Sequence, residues 1–179
     1  MLALTTIQEN FILKFLTRYP ESGVLLNKPK RLLIISHSQS GTTDAMAREV
    51  IKGSKQQNSV ETIFLPAQSA GLEDLLNCHG LIFGTPENFG TMSGMLKDFF
   101  DRTYYPAQPY KLNLPYGLFI SAANDGTGAE RDINRILKGY PLRQVVDPVI
   151  CKGALDEKTL TSCRDLGLTL ALGLEMGIM

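Results

Sequence analysis

Three short segments hold most of the side chains whose types and spacing could act on a ligand. The first is Ser36-His37-Ser38-Gln39-Ser40-Gly41-Thr42-Thr43, which joins an apolar run, Leu32 to Ile35, to a helical stretch. Free backbone N–H groups and the helix dipole favour an anion at such a junction. Ser38, Ser40, Thr42 and Thr43 add hydroxyl donors. The segment has no GKS/T ending, so it offers no lysine to a γ-phosphate, and it lacks the three glycines of a dinucleotide fingerprint. Glu61 stands about twenty residues beyond Gly41, where a ribose-binding acid could lie. It falls at the start of the next strand rather than at its end, and is set aside. What remains is an uncharged cradle suited to one terminal phosphate. A plain helix cap would have the same composition.

The second segment is Thr85-Pro86-Glu87-Asn88-Phe89-Gly90-Thr91-Met92-Ser93-Gly94. Its proline and glycines let backbone approach a planar ligand, and Phe89 offers an apolar face. The alternative is a turn whose Phe89 plugs the core. The third, Ser121-Ala122-Ala123-Asn124-Asp125-Gly126-Thr127-Gly128-Ala129-Glu130, is small enough to leave room, and Asn124 and Asp125 bring acceptors.

Alternating strands and helices must position these segments. Apolar runs predict strands at Leu32–Ile35, Val60–Leu65, Gly80–Gly84, Tyr116–Ser121 and Val145–Cys151. Helical stretches follow at Thr42–Lys55, Gly71–Cys78, Met92–Arg102, Gly128–Lys138 and Asp156–Met176. Met95, Leu96, Phe99 and Phe100 are assigned to the core. Parallel neighbours need crossover connections, so the pattern predicts a doubly wound five-stranded α/β sheet. Ligands bind beyond the carboxyl ends of such strands, which is where the three segments fall. The domain proper is residues 31–179. Residues 1–30 read as a helix with Ile7, Phe11 and Phe15 on one face, followed by a connector after Pro20.

Composition narrows the function. The chain has 179 residues, 44% hydrophobic and 20% charged, with 18 basic and 18 acidic side chains and no net charge. A nucleic-acid binder would carry a basic surplus, and an acidic electron carrier the opposite imbalance. Three cysteines, Cys78, Cys151 and Cys163, form no CxxC pair and read as reduced thiols. Two histidines, His37 and His79, exclude a histidine-rich metal centre, and no metal site is expected. No stretch reads as an export signal or a membrane span, so the expected setting is the cytoplasm.

The set S-x-S-G-x-T at Ser38–Thr43, G-T-P-x-x-F-G-x-M-S-G at Gly84–Gly94, and Ser121–Glu130 resembles the flavodoxin-like FMN proteins. Within them it is most similar to the NAD(P)H-dependent FMN reductases and NAD(P)H:quinone oxidoreductases of the tryptophan-repressor-binding type. The resemblance covers about residues 31–176 and implies sheet order 2-1-3-4-5. It implies that Ser38, Gln39, Ser40, Gly41, Thr42 and Thr43 hold the FMN phosphate. It places Pro86, Glu87, Asn88, Phe89 and Gly90 along the isoalloxazine. Ser121, Ala122, Ala123, Asn124, Asp125, Gly126 and Gly128 would meet the pyrimidine end or the ribityl chain. Ala122-Ala123-Asn124-Asp125 stands where quinone oxidoreductases often have a Gly-Gly pair and, in some members, a histidine. Pro86-Glu87 is similar to the FMN reductases and Phe89-Gly90 to the quinone group.

The function so implied is hydride transfer from NAD(P)H through flavin N5 to a quinone, a flavin or a similar small-molecule acceptor. The rival is a flavodoxin-type electron carrier without its own NAD(P)H activity, and zero net charge speaks against it. A homo-oligomer, as a homodimer, is expected by analogy with related reductases. His37 is open to a catalytic role or to a backbone-bonding one, while Cys78 and His79 precede the third strand and read as structural.

Overall fold

The computed structural model describes residues 29–179; the helix expected within residues 1–30 lies outside the described residues. Arg31 to Ser36 of β1 (Lys30–Ser36) are mostly β-branched or leucine, and Leu32 to Ile35 are at most 1% exposed. Such a strand needs cover on both faces. Its flanks supply it: β1 pairs in parallel with β2 (Val60–Pro66) and with β3 (Gly80–Asn88), and β3 with β5 (Pro115–Ala122). Between them run α1 (Thr42–Ser54), α2 (Leu72–Leu76) and α3 (Gly94–Ala107). After β5 come α4 (Thr127–Leu137), the outer segments β6 (Arg143–Gln144) and β7 (Val149–Lys152), and α5 (Glu157–Met176).

The order β2-β1-β3-β5, with β6 and β7 outermost, is the expected 2-1-3-4-5. The fifth position differs in being shared by two segments. Gln144 pairs with Tyr116 and Val149 with Phe119, so Val145 to Pro148 stand against only Gly117 and Leu118. A bulge absorbs the surplus, and Pro148 sits within it, where no ladder N–H is needed.

Side-chain alternation divides the core in two. Leu33, Ile35, Leu81, Phe83, Leu118 and Ile120 face α2, α3 and α4, where Phe83, Phe99 and Phe100 pack ring on ring. Leu32, Ile34, Ile82 and Phe119 face α1 and α5, meeting Met46, Val50, Leu166 and Leu170. The three thiols are free and buried, and burial raises those of Cys78 and Cys163 to about 12. His79 accepts from Arg31 N through Nδ1 at 3.1 Å, a structural role as expected, and Arg31 also pairs with Glu61 at 2.8 Å.

Two local expectations fail. The second functional segment is not a loop, because β3 continues to Asn88 and turns back as β4 (Thr91–Met92), with Glu87 opposite Met92 and Asn88 opposite Thr91. The helix therefore begins at Gly94 rather than Met92, capped by Ser93, whose Oγ accepts from Leu96 N at 3.3 Å. Met95 is 43% exposed instead of buried. Leu96, Phe99, Phe100, Thr103 and Ala107 form the buried stripe of α3, and at about 100° per residue Met95 lies a quarter-turn off its centre.

Glu49 joins α1 to α5. Its carboxylate accepts from Lys52 and from Arg164 Nε at 2.9 Å, with its side chain 9% exposed. Those hydrogen bonds, Lys52 first and Arg164 second, hold it below the usual carboxylate range. A carboxylate depressed in the folded state stabilises above its unfolded pKa and loses that contribution as pH falls through the folded value. Glu49→Gln should therefore lower the urea midpoint at pH 7, and the gap to the parent should close as the pH is taken well below 4; a constant gap would assign the loss to packing alone.

Phe89 and Gly90 turn the β3–β4 hairpin with φ of +53° and +73°, as a two-residue type I′ turn requires. Asparagine or glycine is favoured there, and a bulky L residue held left-handed costs about 1–2 kcal/mol. Phe89 offsets none of this by burial, being wholly exposed. Phe89→Asn is expected to stabilise the protein by roughly 0.5–1 kcal/mol, seen as a higher urea midpoint. A lower midpoint would mean that the ring is packed in solution.

Candidate functional site

The carboxyl ends of β1, β3 and β5 bring the three segments together. A buried hydroxyl marks each end: Ser36, Thr85 and Ser121 are 9% exposed or less. Thr85 Oγ1 donates to Pro86 O at 2.9 Å and accepts from Ser93 N at 2.9 Å, which fixes both arms of the hairpin. Ser121 Oγ lies 2.8 Å from Thr43 Oγ1 and so ties the third segment to the first. Asn88 Nδ2 donates to Gln39 Oε1 at 3.3 Å, and His37 N donates to Gly84 O at 3.1 Å.

At the first segment the helix-cap alternative can be judged directly. Gly41 is the N-cap of α1 at φ +98°, and no side chain caps the helix. Glycine takes this left-handed conformation without the steric cost a Cβ would bring. Space around Gly41 is open, with nothing within 4 Å of where a Cβ would stand. Among the described residues the N–H groups of Thr42, Thr43 and Asp44 find no acceptor. Ser38 Oγ accepts from Gly41 N at 3.1 Å and retains its own proton to donate. Gln39, Ser40 and Gly41 are exposed, and Ser38 and Thr42 partly so. Thr43 is different: it is buried, and its hydroxyl is taken up by Ser121. Asp44, the acid of the first turn, is engaged by Arg48 at 2.8 Å. An anion fits this cradle.

Between the first segment and the hairpin lies a cavity of about 420 Å³ lined by Gln39, Ser40, Pro86, Glu87, Asn88 and Phe89. That volume is within the usual range of small-molecule sites. Glu87 also reaches back toward α4, and its Oε2 is buried without a hydrogen-bond partner among the described residues. His37 does not line this cavity. It lines a second depression, shared with Ser38, Gly41 and Asp44 of the cradle and with Phe64 and Gln68, and its Nδ1 is buried with no hydrogen-bond partner among the described residues.

The third segment divides by role. Ala123 and Asn124 are exposed at the strand end, while Ala122 is buried and accepts from Gly153 N at 2.7 Å. Asp125 is exposed, with one carboxylate oxygen engaged within its own turn. Oδ1 accepts from Thr127 N at 3.0 Å and Thr127 Oγ1 at 2.9 Å, and these bonds hold it below the usual carboxylate range. Gly126 is the N-cap of α4. Gly128 faces the hairpin, with Gly90 O 2.0 Å from where its Cβ would be. Thr91 and Asp132, which the sequence reading did not single out, meet at 2.8 Å across the same contact.

Comparison with known proteins accords with this geometry. Residues 66–146 match the family described as NADPH-dependent FMN reductase. An NAD(P)H dehydrogenase (quinone) from Acidithiobacillus ferrooxidans is 30% identical over 121 residues, which is 56% of this chain and 60% of that protein. The chain thus spans somewhat under two thirds of the curated relative it matches. Among solved structures, the WrbA-like flavodoxin from Agrobacterium tumefaciens superposes with a TM-score of 0.69 at 18% identity, covering 82% of this chain and 98% of that one. A flavodoxin from the domain Archaea gives 0.67 at 21% identity, covering 81% and 99%. The chain has a flavodoxin-like fold, and its similarity to the NADPH-dependent FMN reductases runs from the end of β2 to the outer edge of the sheet.

Proposed function

We propose that the protein binds FMN and passes reducing equivalents from NAD(P)H to a small-molecule acceptor, a quinone or a second flavin. The observation that carries the reading is the uncapped N-terminus of α1, open at Gly41 and next to the cavity under the hairpin. The N–H groups of Thr42 to Asp44 and the hydroxyls of Ser38, Ser40 and Thr42 would hold the phosphate. Pro86 to Gly90 would line one side of the ring, and Ser121 to Gly126 the other. When bound, the flavin supplies the hydride chemistry at N5, and no protein acid or base is required. The protein's part would be to hold the ring at the strand ends and leave room beside it for a planar substrate.

The match to a family of NADPH-dependent FMN reductases and the quinone dehydrogenase relative support the nicotinamide and the acceptor class. We place the protein in the cytoplasm; among the described residues no helix is long and apolar enough to cross a membrane. We also infer a homo-oligomer. A largely apolar groove of about 600 Å³ between α3 and α4, bordered by the exposed Phe89 and flanked by Met95, supports it. Sedimentation should therefore give a multiple of the 19.7 kDa chain mass.

Anaerobic stopped-flow mixing of the FMN-loaded protein with NADH and NADPH tests the activity, and bleaching of the flavin band by either is expected. A flavin that binds but is bleached by neither would identify an electron-transfer protein instead. The phosphate cradle has its own test. A hydrogen bond to a charged group is worth about 1.5–3 kcal/mol, so Ser40→Ala with Thr42→Ala should weaken FMN by roughly two orders of magnitude. Riboflavin, which has the ring without the phosphate, should bind as before. An unchanged FMN-to-riboflavin affinity ratio would falsify the assignment.

A further inference from the structure

The hairpin that would line the flavin leans on α4 at two points. Its tip lies against Gly128, where a Cβ would stand 2.0 Å from Gly90 O and 2.8 Å from Gly90 C. Ordinary contact begins near 3.4 Å, so only glycine admits the tip this close. One turn further along, Asp132 Oδ2 accepts from Thr91 Oγ1 at 2.8 Å while Oδ1 accepts from Arg131 Nε at 3.0 Å. The Arg131 guanidinium and the Thr91 hydroxyl hold the Asp132 carboxyl below its usual range, so it is an acceptor throughout the neutral region. Both contacts fall on the first two turns of α4, which begins at Thr127 within the third segment.

These contacts couple the two walls of the cleft. β3 and β5 are paired as far as Pro86 and Ser121, and beyond that register no strand pairing joins the walls. The hairpin and the Ser121–Gly126 segment are next linked through α4. The gap between them then follows how closely the hairpin approaches α4, through Gly90 and Thr91 and through Glu87, whose Oε1 is 2.9 Å from where a Cβ of residue 128 would stand.

We propose that Gly128 and Asp132 are positioning residues for the flavin ring, setting the separation of the hairpin from the third segment through Gly90 and Thr91. The proposal rests on the flavin reading above and adds to it residues outside the cleft. Gly128 moves from ligand contact to spacer, and Asp132 enters as a latch.

Gly128→Ala must push the hairpin tip away by more than an ångström. It should raise the dissociation constants of FMN and riboflavin by the same factor, about tenfold or more, because the ring site opens while the phosphate cradle is untouched. Asp132→Ala should raise both by about threefold to tenfold, the equivalent of one ordinary hydrogen bond. Asp132→Asn keeps an acceptor for Thr91 and should restore the parental values. Two further readouts separate positioning from mere stability. The midpoint potential of the bound flavin should shift in both weakened variants, and the amide resonances of Phe89, Gly90 and Thr91 should move in the flavin-free protein. Folded variants with parental affinities and an unmoved potential overturn the proposal. If Gly128→Ala does not fold, the Asp132 pair decides. A parent that binds neither ligand defeats the flavin reading itself; the hairpin amides then decide the placement, and their constancy in both variants overturns it.

Discussion

The middle of this sheet has no room for polarity. Leu32 to Ile35, Leu81 to Phe83 and Leu118 to Ile120 are sealed between helices on both faces, so a charged or hydroxylated side chain placed there would lose water without gaining a partner. The first positions where a polar group can be satisfied are the carboxyl ends of the three strands, where Ser36, Thr85 and Ser121 sit. From those positions the chain must turn into helices, and each turn exposes backbone N–H groups and short side chains. The location of the cleft is therefore a consequence of the core. The strands concentrate polar function by excluding it everywhere else.

How the cleft is shaped depends on backbone more than on side chains. The α1 junction offers N–H groups in place of cations, in keeping with a chain that carries no net charge. The hairpin is stiffened from within by Thr85, which bonds to both of its arms. Of the hydroxyls and carboxylates gathered here, Thr43, Ser121 and Asp125 are spent on joining or capping segments. This leaves few groups free to meet a ligand and many that keep the remainder in place.

Much of this was legible in the residues. Apolar runs and helical periods pointed to the order of elements, and the hydroxyl-rich junction to the open turn into α1, because these signals are local. The parts that escaped are those set by contacts distant in sequence or by backbone angles. Pro86, Gly90 and Gly94 read as loop, yet the stretch to Met92 is a hairpin whose type I′ turn forces Phe89 into an unfavourable φ. Met95 escaped because its apolar neighbours Leu96, Phe99 and Phe100 set the buried stripe of α3 a quarter-turn away from it. The packing of Gly128 against Gly90 at the hairpin tip is invisible in its small-residue surroundings, because the two are 38 positions apart. Asp132 is one of many acids on amphipathic helices, and only the fold brings Thr91 to it. His37 lines the depression shared with Ser38, Gly41 and Asp44 rather than the cavity under the hairpin, a division that only the fold makes.

The bulge at Val145–Pro148 has a consequence for the protein in a crowded solution. Unpaired strand edges invite further strands, and the outer edge formed by β6 and β7 is cut into runs of two and four residues by a segment containing a proline. Neither run is long enough to template a neighbour. The opposite margin, β2, is an unbroken seven-residue strand with Phe64 partly exposed, and among the described residues nothing pairs with its outer side. Among the described residues the sheet thus has one blunted border and one open border, so a further strand would find a continuous template at β2 and a broken one at β6 and β7.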